Sequence, residues 1–311
     1  MNQTYKLPVV VLSLTVLLVI VLLPCQARAG HTGNDKKQFE FAEQLFTDKD
    51  FNRAITEYKR FIFLFPDNNL CEKSYYRICE SYFKAERWEK AIESLEHFES
   101  KFPHSSMLND AVYLKGMSEK NLKRYDEAIS SFKSIIASCS EPLRNKAFYQ
   151  VALIYVDTEE WDKAREYFLK VSDQNTLYPS AWLFSSGLEN IGNLPHKSPA
   201  LAGTFAAIIP GAGHLYTERP QDALIAFLLN GAFIWAAVEL FNDDNYVAGG
   251  VVTFFELGWY SGNIYSAVSS AHKYNRRVKR EFIQNLKDRC NISYFFDNDN
   301  SRHFLMVSMK F

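Results

Sequence analysis

Apolar and polar positions between residues 38 and 178 follow a helical spacing, and the pattern itself repeats. An alanine recurs at Ala54, Ala91, Ala128 and Ala164, at intervals of 37, 37 and 36 residues. Three residues before each stands an aromatic, namely Phe51, Trp88, Tyr125 and Trp161. Four residues after each stands Tyr58, Leu95, Phe132 or Phe168, and twelve before each a small side chain, Ala42, Cys79, Gly116 or Ala152. Pro66 and Pro103 follow the first two alanines by twelve residues. Each period reads as two antiparallel helices. The small residues let the helices approach, the aromatics fill the space towards the next unit, and proline ends the second helix. One hairpin cannot bury its apolar face alone, so the pattern predicts a stack of about four over residues 34–193. The pattern weakens where Lys115 and Glu119 take apolar positions, and after Asp173.

Beyond a breaker-rich linker, Leu194 to Pro199, three apolar stretches follow: Ala200–Tyr216, Asp222–Phe241 and Tyr246–Ala271. The second has the length of a membrane span. The first is interrupted by Pro210-Gly211-Ala212-Gly213, so it reads as a re-entrant or bent helix. Residues 200–272 are therefore expected to form a helical membrane domain. Gly262, Ser266 and Ser270 are expected to supply close helix packing. Asn230 and Glu256 lie deep in the apolar runs, where a polar side chain is costly and points either to an internal hydrogen bond between the two or to a functional group. The segment 273–311 opens with Lys273, Arg276, Arg277, Lys279 and Arg280, which favours the cytoplasmic side of a membrane. An exported repeat domain and a cytoplasmic tail would require three crossings. The tail ends in two strand-like runs, Ile292–Phe296 and Phe304–Phe311, around a turn at Asp297–Asn300.

Residues 1–29 read as a secretory signal: Lys6, an apolar run from Leu7 to Leu23, and Ala27-Arg28-Ala29 before a cleavage point. Pro24 before Cys25 argues against a lipid-anchored cysteine. A formal net charge of −1 and a pI near 6.7 argue against a nucleic-acid partner. Cys71 and Cys79, if on one helix, stand about 12 Å apart and cannot bridge. The cysteines match no metal-site spacing, and no motif of hydrolase, metalloprotease or nucleotide-binding type occurs. The expected protein is not an enzyme, with no cofactor and no metal.

The repeat resembles the tetratricopeptide repeat, most closely the envelope form found in the outer-membrane assembly lipoprotein of the BAM machine, with Ala-Ile in the second helix and Phe-Pro at its end. That resemblance implies an all-α superhelix that binds other envelope proteins or peptides in a groove lined by first helices. Tyr76, Tyr82, Lys115, Tyr149 and Tyr155 are the groove candidates, although the same tyrosines would equally pack between helices. Pro210, Gly211, Gly213 and Tyr216 form a Pro-Gly-x-Gly-x-x-Tyr motif resembling that of small bacterial membrane domains related to the TM2 family, which implies contact with membrane lipid. Together these readings imply a membrane-tethered envelope scaffold, with the repeats periplasmic and the anchor in the inner membrane. The alternative is an accessory subunit of a transport system.

Overall fold

The computed structural model describes residues 33–290 and the backbone of 292–296 and 303–307. The signal segment, Cys25, the turn at 297–300 and the terminal Phe311 lie outside the described residues. The described residues are all-α apart from two short strands, β1 (Ile292–Phe296) and β2 (His303–Val307), paired antiparallel with Tyr294 opposite Leu305. It divides into two compact units, one up to Glu159 and one from Glu160 onward.

Among the described residues the first unit holds seven helices: α1 (Asn34–Thr47), α2 (Phe51–Leu64), α3 (Cys71–Lys84), α4 (Trp88–Lys101), α5 (Leu108–Asn121), α6 (Tyr125–Ser138) and α7 (Glu141–Asp157). Consecutive helices pack on each other from α1 to α7. The sequence landmarks form its core. Ala42, Ala54, Cys79, Ala91 and Ala128 are fully buried, as are Tyr58, Leu95 and Phe132. At Gly116 the ring of Phe132 lies so close that a Cβ would sit 2.9 Å from it. The period-marking aromatics Phe51, Trp88 and Tyr125 are each the first residue of a second helix. Pro66 and Pro103 follow the C-caps Phe65 and Phe102, where the extended bias before proline ends a helix.

Between first and second helices the chain turns in three residues, and the middle one is left-handed each time: Lys49, Glu86, Lys123 and Glu159, with φ of 62°, 57°, 59° and 60°. This is the helix-ending position usually held by glycine. The cost of a side chain there, about 1–2 kcal/mol, is offset by recaptured helix-end carbonyls, as in Lys49 N–H to Phe46 O and Asp50 N–H to Leu45 O. The polar intruders of the third hairpin are satisfied. Lys115 reaches Glu99 and Glu96 on α4 at 3.5 and 3.7 Å, and Ser131 donates to the buried Glu119 at 2.7 Å.

The second unit begins with α8 (Trp161–Leu169) and α9 (Tyr178–Glu189), whose Phe168 and Phe184 rings stack at 4.9 Å. Then follow α10 (Pro199–Ile208), α11 (Ala212–Tyr216), α12 (Pro220–Asn242) and α13 (Tyr246–Cys290). The hairpin of α12 and α13 and the packing of α10 on α13 dominate its contacts. At 45 residues α13 is about 67 Å long. Its far end packs on α9, with Leu286 against Gly187 and the buried Cys290 thiol 3.9 Å from the Ser180 carbonyl.

Candidate functional site

In the first unit a groove of about 640 Å³ opens between α2, α3 and α4. Ile62, Phe63, Ile78 and Tyr82 give it an apolar floor, with Lys59 and Glu93 on its rim. Phe63 is 83% exposed, the largest exposure among the repeat domain's big apolar side chains. Tyr82 is half-buried, and its hydroxyl accepts a hydrogen bond from Lys59 Nζ at 3.2 Å. Of the five groove candidates, Tyr82 lines this groove and Lys115 is half-buried among the carboxylates of α4. Tyr76, Tyr149 and Tyr155 are buried, so the interhelical alternative describes them: their rings fill the space between helices and offer little to a ligand. The groove draws on second helices as well as a first helix, a departure from the expectation of first helices alone.

Beside it, α1 and α3 share an ionic network. Arg77 donates from Nε to Glu43 at 2.9 Å and from a terminal nitrogen to the buried Glu80 at 2.8 Å, while the buried Tyr58 hydroxyl donates to Glu43 at 2.5 Å. These carboxylates hold the Arg77 guanidinium charged despite its burial. Lys84 lies over the Phe46 ring at 4.8 Å, and burial lowers its amine to about 8. Among the described residues no group of three or more His, Cys, Asp or Glu is arranged to hold a metal.

The part of the second unit formed by α10 to α13 is inverted relative to a water-soluble bundle. Its interior holds small and polar residues: Ala202, Ala206, Gly213, Asn230, Glu256, Asn263 and Ser270. Its surface carries Leu215, Trp235, Phe254 and Leu257, each more than 60% exposed. Exposed apolar residues in this number mark a surface for membrane or protein contact. Inward small and polar groups with outward large apolar ones are the pattern of helices packed in lipid. Among the described residues α12, with 23 residues, is the one helix long and apolar enough by itself to span. A cluster of polar and ionic groups closes one end of this unit. Lys197 N–H donates to Asn275 Oδ1 at 2.8 Å and Asn275 Nδ2 returns a bond to the Lys197 carbonyl at 2.9 Å. Lys197 pairs with Glu218 at 3.2 Å, and Arg219 pairs with Asp222 and donates to Ser270 at 2.9 Å. The chain thus enters and leaves at the same end, and α12 and α13 meet at the other in the acidic turn around Asp243 and Asp244.

The Pro-Gly-x-Gly-x-x-Tyr residues make this return possible. After α10, Gly211 takes φ +87°, and a Cβ there would sit 2.2 Å from the Ala223 carbonyl oxygen. Gly213 lies where α10, α11 and α13 converge: its Cβ would stand 2.2 Å from Ala202 O, 2.7 Å from Ala267 and 2.9 Å from Ala206. Tyr216 then accepts the Ser198 N–H at 3.0 Å at the start of α10 and packs on Phe205. The first apolar stretch therefore folds back on itself, as a re-entrant or bent helix would: α10 is only about 15 Å long, and Pro210 and Gly211 reverse the chain.

Packing on α13 also differs from expectation. Gly262 is exposed, and nothing lies within 4 Å of where its Cβ would stand, while the stripe that packs is Glu256, Asn263, Ala267 and Ser270. Gly203 makes the close approach instead: a Cβ there would stand 2.9 Å from the Val268 side chain. Asn230 does not bond Glu256: its amide donates to Ala226 O, and its Oδ1, both Glu256 oxygens and Asn263 Nδ2 have no hydrogen-bond partner among the described residues. His214, also buried, leaves Nδ1 unpartnered and lines a groove of about 1080 Å³ with Arg219, Phe233 and Asn263.

Residues 32–140 match the family model of an outer membrane lipoprotein, YfiO, a range that takes in α1 to α6. A fragment of MamA from Desulfovibrio magneticus RS-1 is 19% identical, with 44% of this chain and 73% of that one covered and a TM-score of 0.37. A tetratricopeptide repeat protein from Parabacteroides merdae is 14% identical, with 81% and 98% covered and a TM-score of 0.43. No curated protein matches the chain. The matched range, about a third of the chain, is the stack of antiparallel helix hairpins, a tetratricopeptide-like array.

Proposed function

We propose that the protein is a membrane-tethered scaffold which gathers envelope proteins or peptides on its repeat array. The observation that carries this reading is the inverted second unit, whose apolar exterior and polar interior suit lipid, and whose helix α13 also packs on the last repeat helix α9. In this reading α12 and α13 make two crossings and α10–α11 enters one leaflet and returns. The last repeat helix α9 and the end of α13 then share one face of the membrane. From Ser270, level with the polar end of the unit, to Leu286 on α9 is 16 residues, so α13 holds the last repeat helix about 24 Å above the membrane boundary.

The groove of α2, α3 and α4 suits an extended or helical peptide with apolar side chains, since an apolar floor supplies affinity and rim charges supply orientation. A photo-crosslinking side chain at Tyr82 is expected to capture an envelope protein in membranes, whereas one at the buried Tyr149 is not. Equal capture at both positions, or none at Tyr82, contradicts the groove. Resistance of the full chain to alkaline extraction from membranes tests the tether, and release by alkali contradicts it.

A further inference from the structure

We infer that the basic face of α13 just beyond the apolar zone is a docking surface for the phosphate headgroups of anionic phospholipid. The inference rests on the membrane reading above and adds the lipid class. Lys273, Arg276, Arg277 and Arg280 stand at the i, i+3, i+4 and i+7 positions of one helix, hence on one face. All four are exposed, and together they line a groove of about 570 Å³. The opposing charge is slight: Glu281 lies 3.9 Å from Arg277, and the other three form no ion pair among the described residues. This sets them apart from the cations at the end of the unit, since Lys197 is matched by Glu218 and Arg219 by Asp222.

Their height selects a headgroup as the occupant. Arg219 bonds Ser270, so the start of α12 and Ser270 mark one boundary of the apolar zone. At 1.5 Å per residue the four cations lie about 5 to 15 Å beyond it. Headgroup layers extend about 5–8 Å past the hydrocarbon, and charge attraction reaches one Debye length further, about 8–10 Å. A cation in this zone gains roughly five-fold in affinity for an anionic surface. The opposite end carries Asp243 and Asp244, so the preference is one-sided. A soluble polyanion is a poorer fit, because the chain as a whole is nearly neutral and the basic face lies on the membrane-proximal turns of the helix.

The test reconstitutes the full chain into nanodiscs of mixed phosphatidylcholine and phosphatidylglycerol, extracts it with mild detergent, and measures which lipid stays bound. Phosphatidylglycerol is expected to be enriched several-fold over the bulk ratio, to fall to that ratio in half-molar salt, and to show no enrichment in the K273Q/R276Q/R280Q variant. Enrichment that survives both salt and the variant overturns the inference, as does retention at the bulk ratio by the wild-type chain. Displacement of the lipid by millimolar inorganic phosphate also overturns it, by showing a site for the free anion. Should the variant fail to fold, the salt dependence of the wild-type chain still decides. Failure of the chain to enter any nanodisc would instead defeat the tether reading, an outcome distinct from entry without lipid preference.

Discussion

Replacing Gly213 by alanine tests whether the Pro-Gly-x-Gly-x-x-Tyr motif serves to pack α11 into the fold-back. The new methyl group would stand 2.2 Å from the Ala202 carbonyl oxygen and 2.7 and 2.9 Å from the Cβ atoms of Ala267 and Ala206. The nearest atom is backbone, so relief requires α10 or α11 to move by about an ångström. Three neighbours on two helices oppose that movement. Overpacking a tight site costs about 1–3 kcal/mol, and a clash with backbone belongs at the upper end. For a domain of this size about 3 kcal/mol lowers the melting temperature by roughly 6–12 °C. The assay is thermal unfolding of the full chain in neutral detergent. Gly231 and Gly250 are controls: both are helical, and nothing lies within 4 Å of a Cβ at either. Alanine there should leave stability unchanged or raise it by up to about 1 kcal/mol. A Gly213→Ala protein that melts with the controls would refute the packing argument.

Removing Arg77 takes the guanidinium 2.8 Å away from the buried Glu80 and leaves Glu43 to the longer 3.6 Å pair with Lys73, so Arg77→Ala should destabilise the first unit by about 3–5 kcal/mol, read by urea unfolding. Lys84, lowered to about 8 by burial, binds fewer protons when folded than unfolded between that value and the ordinary lysine value of 10.5. Stability should therefore rise as pH climbs through this window, and Lys84→Met should flatten the rise. A rise of equal size in the variant would contradict the assignment. Burial pushes the Cys79 thiol up to about 12, so at pH 8 in the folded chain it should resist a thiol reagent that modifies the less buried Cys139. Matching rates at the two cysteines would contradict the burial.

The repeat was legible in the sequence because its cause is local and periodic. Ala54, Ala91 and Ala128 must be small where helices touch, and Tyr58, Leu95 and Phe132 must be large beside them. The left-handed residues Lys49, Glu86, Lys123 and Glu159 were illegible because this backbone conformation is ordinarily announced by glycine or asparagine. Tyr76 and Tyr149 fit either a groove or an interhelical seam, since helical spacing does not say which arc of a superhelix is covered by the neighbouring repeat. In the second unit α12 announced itself by its apolar composition. Pro210 and Gly211 marked α10–α11 as re-entrant or bent, but its packing was illegible because the cause is non-local: Gly213 must fit between Ala202 and Ala267, 65 residues apart in the chain. The packing stripe of α13 was misassigned to Gly262 because small residues occur on both faces of that helix, and only the position of α10 and α12 chooses between them.

The membrane reading turns on one point, that the chain enters and leaves its membrane unit at the same end. Labelling of single cysteines by a membrane-impermeant thiol reagent in sealed membranes tests it without intermediate steps. Asn285→Cys reports the end of α13, Asp243→Cys the opposite turn and Glu189→Cys the last repeat helix, in a chain with Cys25 and Cys139 changed to serine; all three positions are exposed. Positions 285 and 189 are expected to label together, and position 243 only from the other side. Labelling of 285 and 189 from opposite sides would contradict the shared end.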